Sequence, residues 1–385
     1  MLQHILIAFF ASLFAVMWIH PLVVRIAMEK NIVDNPDARK LQRIPIPVLG
    51  GCAVFFGILL GIGFTSAHCD CTSLLITITA MTIMLYTGTM DDILDLSPRL
   101  RFVIEIIVVA LLVMANKQSI NNFYGLWGLE VNPQWFAIPL TIFAAVGIIN
   151  AINLIDGVDG LSSGYGVMAS VVFAILFLLA GDISMMTLAI VTAGSLIPFF
   201  FHNVFGKTSK MFIGDGGTLV LGIVFSSYVI STLADGSMVG KFIDSNFGII
   251  PFTLAALSVP VFDTLRVMVA RILRHTSPFS PDKTHLHHLF IELGFSHAGT
   301  TVSILTLNSL IILLHLLSWK LGCSIDVQLY IVIGASLLGT VGLYYGTKAM
   351  SDNNIFKRMM KAIGRASHIE RKGFYLTMQK LMDKI

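Results

Sequence analysis

The sequence predicts an all-α, polytopic integral membrane protein with about 11 transmembrane helices. Three observations carry that expectation. The 385 residues are 56% hydrophobic and only 12% charged, far too apolar for an ordinary soluble domain. Eleven apolar runs recur along the chain, most of them near the roughly 20 residues that cross a bilayer. With the N-terminus outside, 22 of the 25 Lys and Arg fall in loops on one side, which marks that side as cytoplasmic.

The first run, 4–24, starts with neither a basic region nor a small-residue cleavage site, so it reads as a retained span. A basic loop leads to runs at 48–66 and 72–90. The run at 102–116 is short. The run at 136–155 carries Asn150 and Asn153 near its end, amides that need partners in lipid. Gly181 and Asp182 divide 163–181 from 183–202, a pair otherwise readable as one long helix. A second short run, 216–233, precedes 247–270, 301–321 and 328–348. The basic side takes loops 25–47, 91–101, 156–162, 203–215, 266–300 and 348–385; only Lys117, Lys241 and Lys320 lie opposite. Residues 1–350 read as one transmembrane domain without internal repeat. Residues 351–385 read as a basic amphipathic tail lying on the anionic inner leaflet. The four cysteines, Cys52, Cys69, Cys71 and Cys323, form no CxxC pair and read as bystanders.

Three acidic clusters border the apolar runs, all on the basic side. They are Asp91-Asp92 with Asp95, Asn153 with Asp156 and Asp159, and Gly214-Asp215-Gly216-Gly217. Ionisable residues beside a bilayer are costly and mark function by default. Clusters of one sign repel unless something positive joins them, and Mg²⁺ with a phosphate ligand is the natural candidate. The plainer readings are a solvated loop neutralised by Arg99 and Arg101, a glycine turn whose aspartates cap a helix, and a capped helix start. The positive counterpart is the loop Ser277 to His288, where Lys283, His285, His287 and His288 suit phosphate oxygens better than zinc, since no Cys or Glu-x-x-His frame accompanies them. Arg39 and Lys40, ahead of Pro45, Pro47 and Gly50-Gly51, are either phosphate contacts or simple positive-inside charge. Asp263 and Arg266, three apart, read first as a local ion pair.

These motifs, in this order, resemble the polyprenyl-phosphate N-acetylhexosamine-1-phosphate transferases. The resemblance covers about residues 1–350 and rests on Asp34 to Gly51, Asp91-Asp92-x-x-Asp95, Asn153 to Leu161, Phe212 to Gly222 and Ser277 to Leu289. The form of the His-rich loop is similar to the WecA-type branch, which uses UDP-N-acetylglucosamine; Asp95 separates that branch from its peptidoglycan relatives, which usually carry Lys there. Gln42 departs from the His of many relatives, and Thr218 replaces a common Ser while keeping the hydroxyl.

The resemblance implies a cytoplasmic-face active site in which undecaprenyl phosphate attacks the β-phosphorus of a UDP-sugar and UMP leaves. Asp215 would ligate Mg²⁺, with Mn²⁺ as a substitute and Asn153 as a second ligand. Asp91 and Asp92 would position or deprotonate the lipid phosphate. Asp156 and Asp159 would belong to the nucleotide-sugar pocket, and Phe212 would stack on uracil. His285, His287 and His288 would hold the pyrophosphate or sugar, and Lys40 would be another phosphate contact. Expected partners are the UDP-sugar, the polyprenyl phosphate and the bilayer, with no nucleic acid; a homodimer is compatible. The product would start a cell-surface polysaccharide of O-antigen, common-antigen or teichoic-acid type in the bacterial inner membrane. Another UDP-sugar is the alternative. A transporter fits less well, because the acids sit at one face and no repeat is visible.

Overall fold

The computed structural model describes residues 2–35, 44–66, 71–278, 282–368 and 373–384. Each of the eleven expected runs is helical. They form α1 (Leu2–Glu29), α2 (Gly50–Ser66), α3 (Leu75–Leu94), α4 (Pro98–Asn116), α5 (Gln134–Leu154), α6 (Leu161–Ala180), α7 (Ile183–Phe205) and α8 (Gly214–Leu233). A short α9 (Met238–Phe242) precedes α10 (Ile249–Ala256) and α11 (Ser258–Leu273). Then come α12 (Leu286–Glu292), α13 (His297–Lys320), α14 (Ile325–Leu337) and α15 (Leu343–Ala349), the last two joined by a π-helical turn. Helices α16 (Ile355–Ala366) and α17 (Gly373–Met382) make up the tail. Among the described residues the only sheet pairs β1 (Val33–Asp34) with β2 (Ile46–Pro47) antiparallel.

By length and apolarity, eight helices among the described residues can cross a membrane, or nine if the bent pair α10–α11 is one span. The expected eleven include two more. One is α2, which is shorter, and the other is α4, which carries Arg99, Arg101 and Glu105.

The run expected as one helix at 247–270 is broken instead, with a 74° bend between α10 and α11. A break inside lipid strands backbone groups, which must find partners in protein. Asn308 of α13 supplies them: its Oδ1 accepts from Val259 N at 3.0 Å, and its Nδ2 donates to Ala255 O and Ala256 O. Tyr165 Oη also donates to Ala256 O, at 2.6 Å.

The division of α6 from α7 holds where Gly181 and Asp182 predict it. Gly181 takes φ 75°, and Asp182 accepts from Met185 N to start α7. Helix α8 is the axis of the bundle. All of it but Asp215 is buried, packed against α2, α3 and α5.

Candidate active site

Helix α8 meets its neighbours through glycines. A Cβ on Gly88 of α3 would lie 2.4 Å from Gly216 N and 2.5 Å from the Asp215 carbonyl. A Cβ on Gly51 of α2 would lie 2.2 Å from Gly217 N. Gly214 has φ +70°, and a Cβ there would strike Val48 O at 2.2 Å. These approaches bring the last turn of α3 onto the first turn of α8. Asp92 then caps α8, accepting from Asp215 N at 3.1 Å and Gly216 N at 3.3 Å. A carboxylate there also meets the positive end of the helix dipole.

Two further groups converge on Asp215. Asn153, at the end of α5, donates to Asp215 Oδ1 at 2.9 Å and to Thr218 Oγ1 at 2.8 Å. Arg101 of α4 donates through one Nη1 to Asp91 Oδ2 at 2.9 Å and to Asp215 Oδ2 at 3.2 Å. Asp91 Oδ1 accepts from Leu96 N, where Asp95 turns the chain at φ 51° between α3 and α4. Glu105, one turn beyond Arg101, lies 3.6 Å from its Nε and accepts from Asn150. The first and third acidic clusters are thus one site, joined by Arg101.

The second cluster opens the loop between α5 and α6. Asp156 accepts from Ser162 Oγ at 2.6 Å. Asp159 Oδ2 takes Lys210 Nζ at 2.6 Å and His297 Nδ1 at 2.8 Å. Burial pushes the Asp159 carboxyl up, but the His297 hydrogen bond and the Lys210 charge outweigh it and hold it below the usual carboxylate range. The His-rich element packs onto the same loop, so closely that a Cβ on Gly157 would lie 2.1 Å from His287 Nε2.

His285, His287 and His288 form a row of rings, with centroids 5.7 and 4.3 Å apart. His285 is buried, and its Nδ1 lies 3.0 Å from Asp263 Oδ2. Asp263 also forms the expected ion pair with Arg266, at 2.6 Å. Burial, then the neighbouring His288 and His285, hold His287 well below the ordinary imidazole range. Burial also lowers His288. Both rings lie beside the Gly157 loop, His287 buried and His288 partly so. Arg271 pairs with Asp282 at 3.0 Å; its hydrogen bond and those of Thr284 overcome burial and lower the Asp282 carboxyl.

Phe212 is woven in by its backbone, donating to Pro47 O and accepting from Gly50 N, while its side chain stays half-buried. Lys283 is exposed, and Lys40 lies outside the described residues. Among the described residues no three His, Cys, Asp or Glu side chains are grouped as a metal cage. A cation between Asp215 and Asp91 would find carboxylate oxygens, in competition with the Arg101 and Asn153 N–H groups that donate to them here. Mg²⁺ favours that donor set, taking one or two carboxylates plus substrate phosphates.

In sequence Arg101 stands out only as a neutralising neighbour of the first cluster, and no motif singles out Lys210 or His297. Glu105 was readable by the same rule that singled out the aspartates: it is an acid within an apolar helix.

A multi-pass membrane protein with an oxygen-rich, cation-bridged site at one end of its bundle is the class that fold and site define. The glycosyl transferase family 4 model matches residues 74–233, which include both the Asp91 and the Asp215 clusters. A probable undecaprenyl-phosphate N-acetylglucosaminyl 1-phosphate transferase of Bacillus subtilis is 31% identical over 93% of this chain and 97% of its own length. The undecaprenyl-phosphate alpha-N-acetylglucosaminyl 1-phosphate transferase of Salmonella typhi is 30% identical over 71% of this chain and 72% of its own. The protein so named in Escherichia coli K12 is 28% identical over the same shares. The chain belongs to glycosyl transferase family 4, the polyprenyl-phosphate N-acetylhexosamine-1-phosphate transferases, and is a sugar-phosphate transferase.

Proposed function

We propose that this transferase moves N-acetylglucosamine-1-phosphate from UDP-N-acetylglucosamine to undecaprenyl phosphate, releasing UMP at the cytoplasmic face of the bacterial inner membrane. The observation that carries the reading is the Arg101 bridge between Asp91 and Asp215, with Asn153 beside it. It supports a site for anionic phosphates built from carboxylates, which needs fixed positive charge among them. The names of the relatives supply the sugar and the lipid, and the product would begin a cell-surface polysaccharide.

A lipid phosphate oxygen attacks the β-phosphorus, and the bond from that phosphorus to the UMP oxygen breaks. Such chemistry is mostly positioning and charge stabilisation. A phosphate monoester has a second pKa of about 6, so it arrives largely ionised and no aspartate base is required. Asp91 and Asp92 orient the lipid phosphate against Arg101. His287, His288 and Lys283 donate to the pyrophosphate, with His285 holding the row through Asp263. Phe212 takes the uracil face, and Asp156 and Asp159 take the nucleotide sugar. Mg²⁺, or Mn²⁺ in its place, would be held by Asp215 with Asn153 and would offset charge on the pyrophosphate.

Purified protein given Mg²⁺, undecaprenyl phosphate and UDP-N-acetylglucosamine is expected to release UMP, and EDTA or Asp215→Asn to abolish release. Metal-independent turnover, or full activity in Asp215→Asn, would remove the metal assignment. Faster turnover of UDP-N-acetylgalactosamine or a 6-deoxy amino sugar in the same assay would move the reading to that donor.

A further inference from the structure

The tail has no part in the reaction described so far, yet α16 and α17 both fold back on the acidic end of the bundle. Ser367 ties α16 to the start of α13: its Oγ accepts from Ser296 N at 2.9 Å, and Ser296 Oγ donates to Ser367 O at 2.8 Å. His368 Nε2 lies 3.0 Å from Gly294 O. Helix α16 sits so close that a Cβ on Gly364 would meet Phe295 at 2.8 Å and Leu293 O at 2.9 Å.

Helix α17 is held near both ends. Tyr375 Oη donates to Val204 O at 2.8 Å. Beyond the other end, one oxygen of Asp383 accepts the successive N–H groups of Lys207, Thr208 and Ser209, at 2.9, 3.0 and 3.1 Å. A carboxylate bound by three consecutive amides fixes the shape of that turn. The turn is anchored from beneath as well. His20 Nε2 lies 2.8 Å from Ser209 O and His202 Nδ1 lies 3.1 Å from Ser209 Oγ, with the two buried rings stacked at 4.1 Å.

These anchors flank one carboxylate. Ser209 precedes Lys210 and Ser296 precedes His297, the two nitrogen partners of Asp159 Oδ2. His368 and Tyr375 also line a cavity of about 330 Å³ together with Asp159 and His297. We propose that the tail is a strap that positions Lys210 and His297 around Asp159, making Asp383 a positioning residue for the nucleotide sugar. The inference rests on the assignment of Asp159 to the nucleotide-sugar pocket.

Steady-state kinetics on the full-length enzyme test it. Asp383→Ala is expected to raise KM for UDP-N-acetylglucosamine about tenfold, the scale of a small misplacement, and to leave KM for undecaprenyl phosphate at the wild-type value. Asp383→Asn keeps an oxygen acceptor and is expected to restore the nucleotide-sugar KM. Equal rises in both KM values, or no rise, in folded Asp383→Ala overturn the strap. Where Asp383→Ala does not fold, Tyr375→Phe and Ser367→Ala must show the same split on a smaller scale; its absence from both overturns the strap. Wild-type protein that releases UMP from no UDP-sugar overturns the function reading instead. Hydrogen exchange at 207–210 and 296–301 then still decides the strap: faster exchange in Asp383→Ala supports it, and unchanged exchange overturns it.

Discussion

Arg101 is the residue on which the charge balance of the site turns. Its guanidinium meets Asp91 and Asp215 directly and Glu105 at longer range, and it is only 19% exposed. Removing one partner from such a group leaves buried charges uncompensated, which costs far more than an exposed pair contributes. Lysine cannot substitute fully, since a single ammonium lacks the planar fork that reaches two carboxylates and the Glu105 side together. Arg101→Ala is expected to lower kcat by about 10²-fold, the scale of losing a preorganised electrostatic donor, with Arg101→Lys intermediate. A melting curve run beside the assay separates lost chemistry from lost folding. Wild-type kcat in a folded Arg101→Ala protein would show the bridge to be dispensable.

The packing of helices on α8 decides whether those side chains meet at all. Gly88 lies in the middle of α3, where alanine would ordinarily gain about 1 kcal/mol of helix propensity. Here the added Cβ would meet Gly216 N at 2.4 Å and the Asp215 backbone at 2.5 Å, atoms that cannot swing aside as a flexible side chain can. Overpacking of that kind costs about 1–3 kcal/mol, so the clash outweighs the propensity. Gly88→Ala is therefore expected to lower the melting temperature and, by pushing α8 from α3, to weaken the Asp92 cap and the activity with it. An unchanged melting temperature would mean the two helices can part without cost. This packing was not legible in the sequence. The aspartates and asparagines stood out because polar residues are rare in apolar runs, but Gly88 resembles any other glycine in a membrane helix. The break at Leu257 was hidden for a similar reason. The groups that satisfy it, Asn308 and Tyr165, are about 50 and 90 residues away along the chain. Lys210 and His297 were visible only as basic loop residues, because Asp159, which gathers them, is reached through three separate loops.

Across the whole molecule, the distribution of Lys and Arg predicts the orientation, and orientation would decide which substrates reach the site. On the eleven-span topology expected from the sequence, the acids, Arg101, Lys210 and the His-rich element would fall on the side of 22 of the 25 Lys and Arg, and the α13–α14 turn with Cys323 would fall opposite. The proposed donor, a nucleotide sugar, is water-soluble and made in the cytoplasm, so a site on the outer face would be starved of it however well it were built. Accessibility of single cysteines tests this without reference to activity. In a chain with Cys52, Cys69 and Cys71 changed to Ala, a membrane-impermeant maleimide added to intact spheroplasts is expected to modify Cys323. With Cys323 also changed to Ala and Lys361→Cys introduced in α16, modification is expected only after the membrane is opened. Cys323 is free and half-exposed, and the Lys361 side chain is 39% exposed, so neither result is limited by burial. The reverse pattern would put the acidic end outside and remove the UDP-sugar as donor, whatever the family resemblance of the fold.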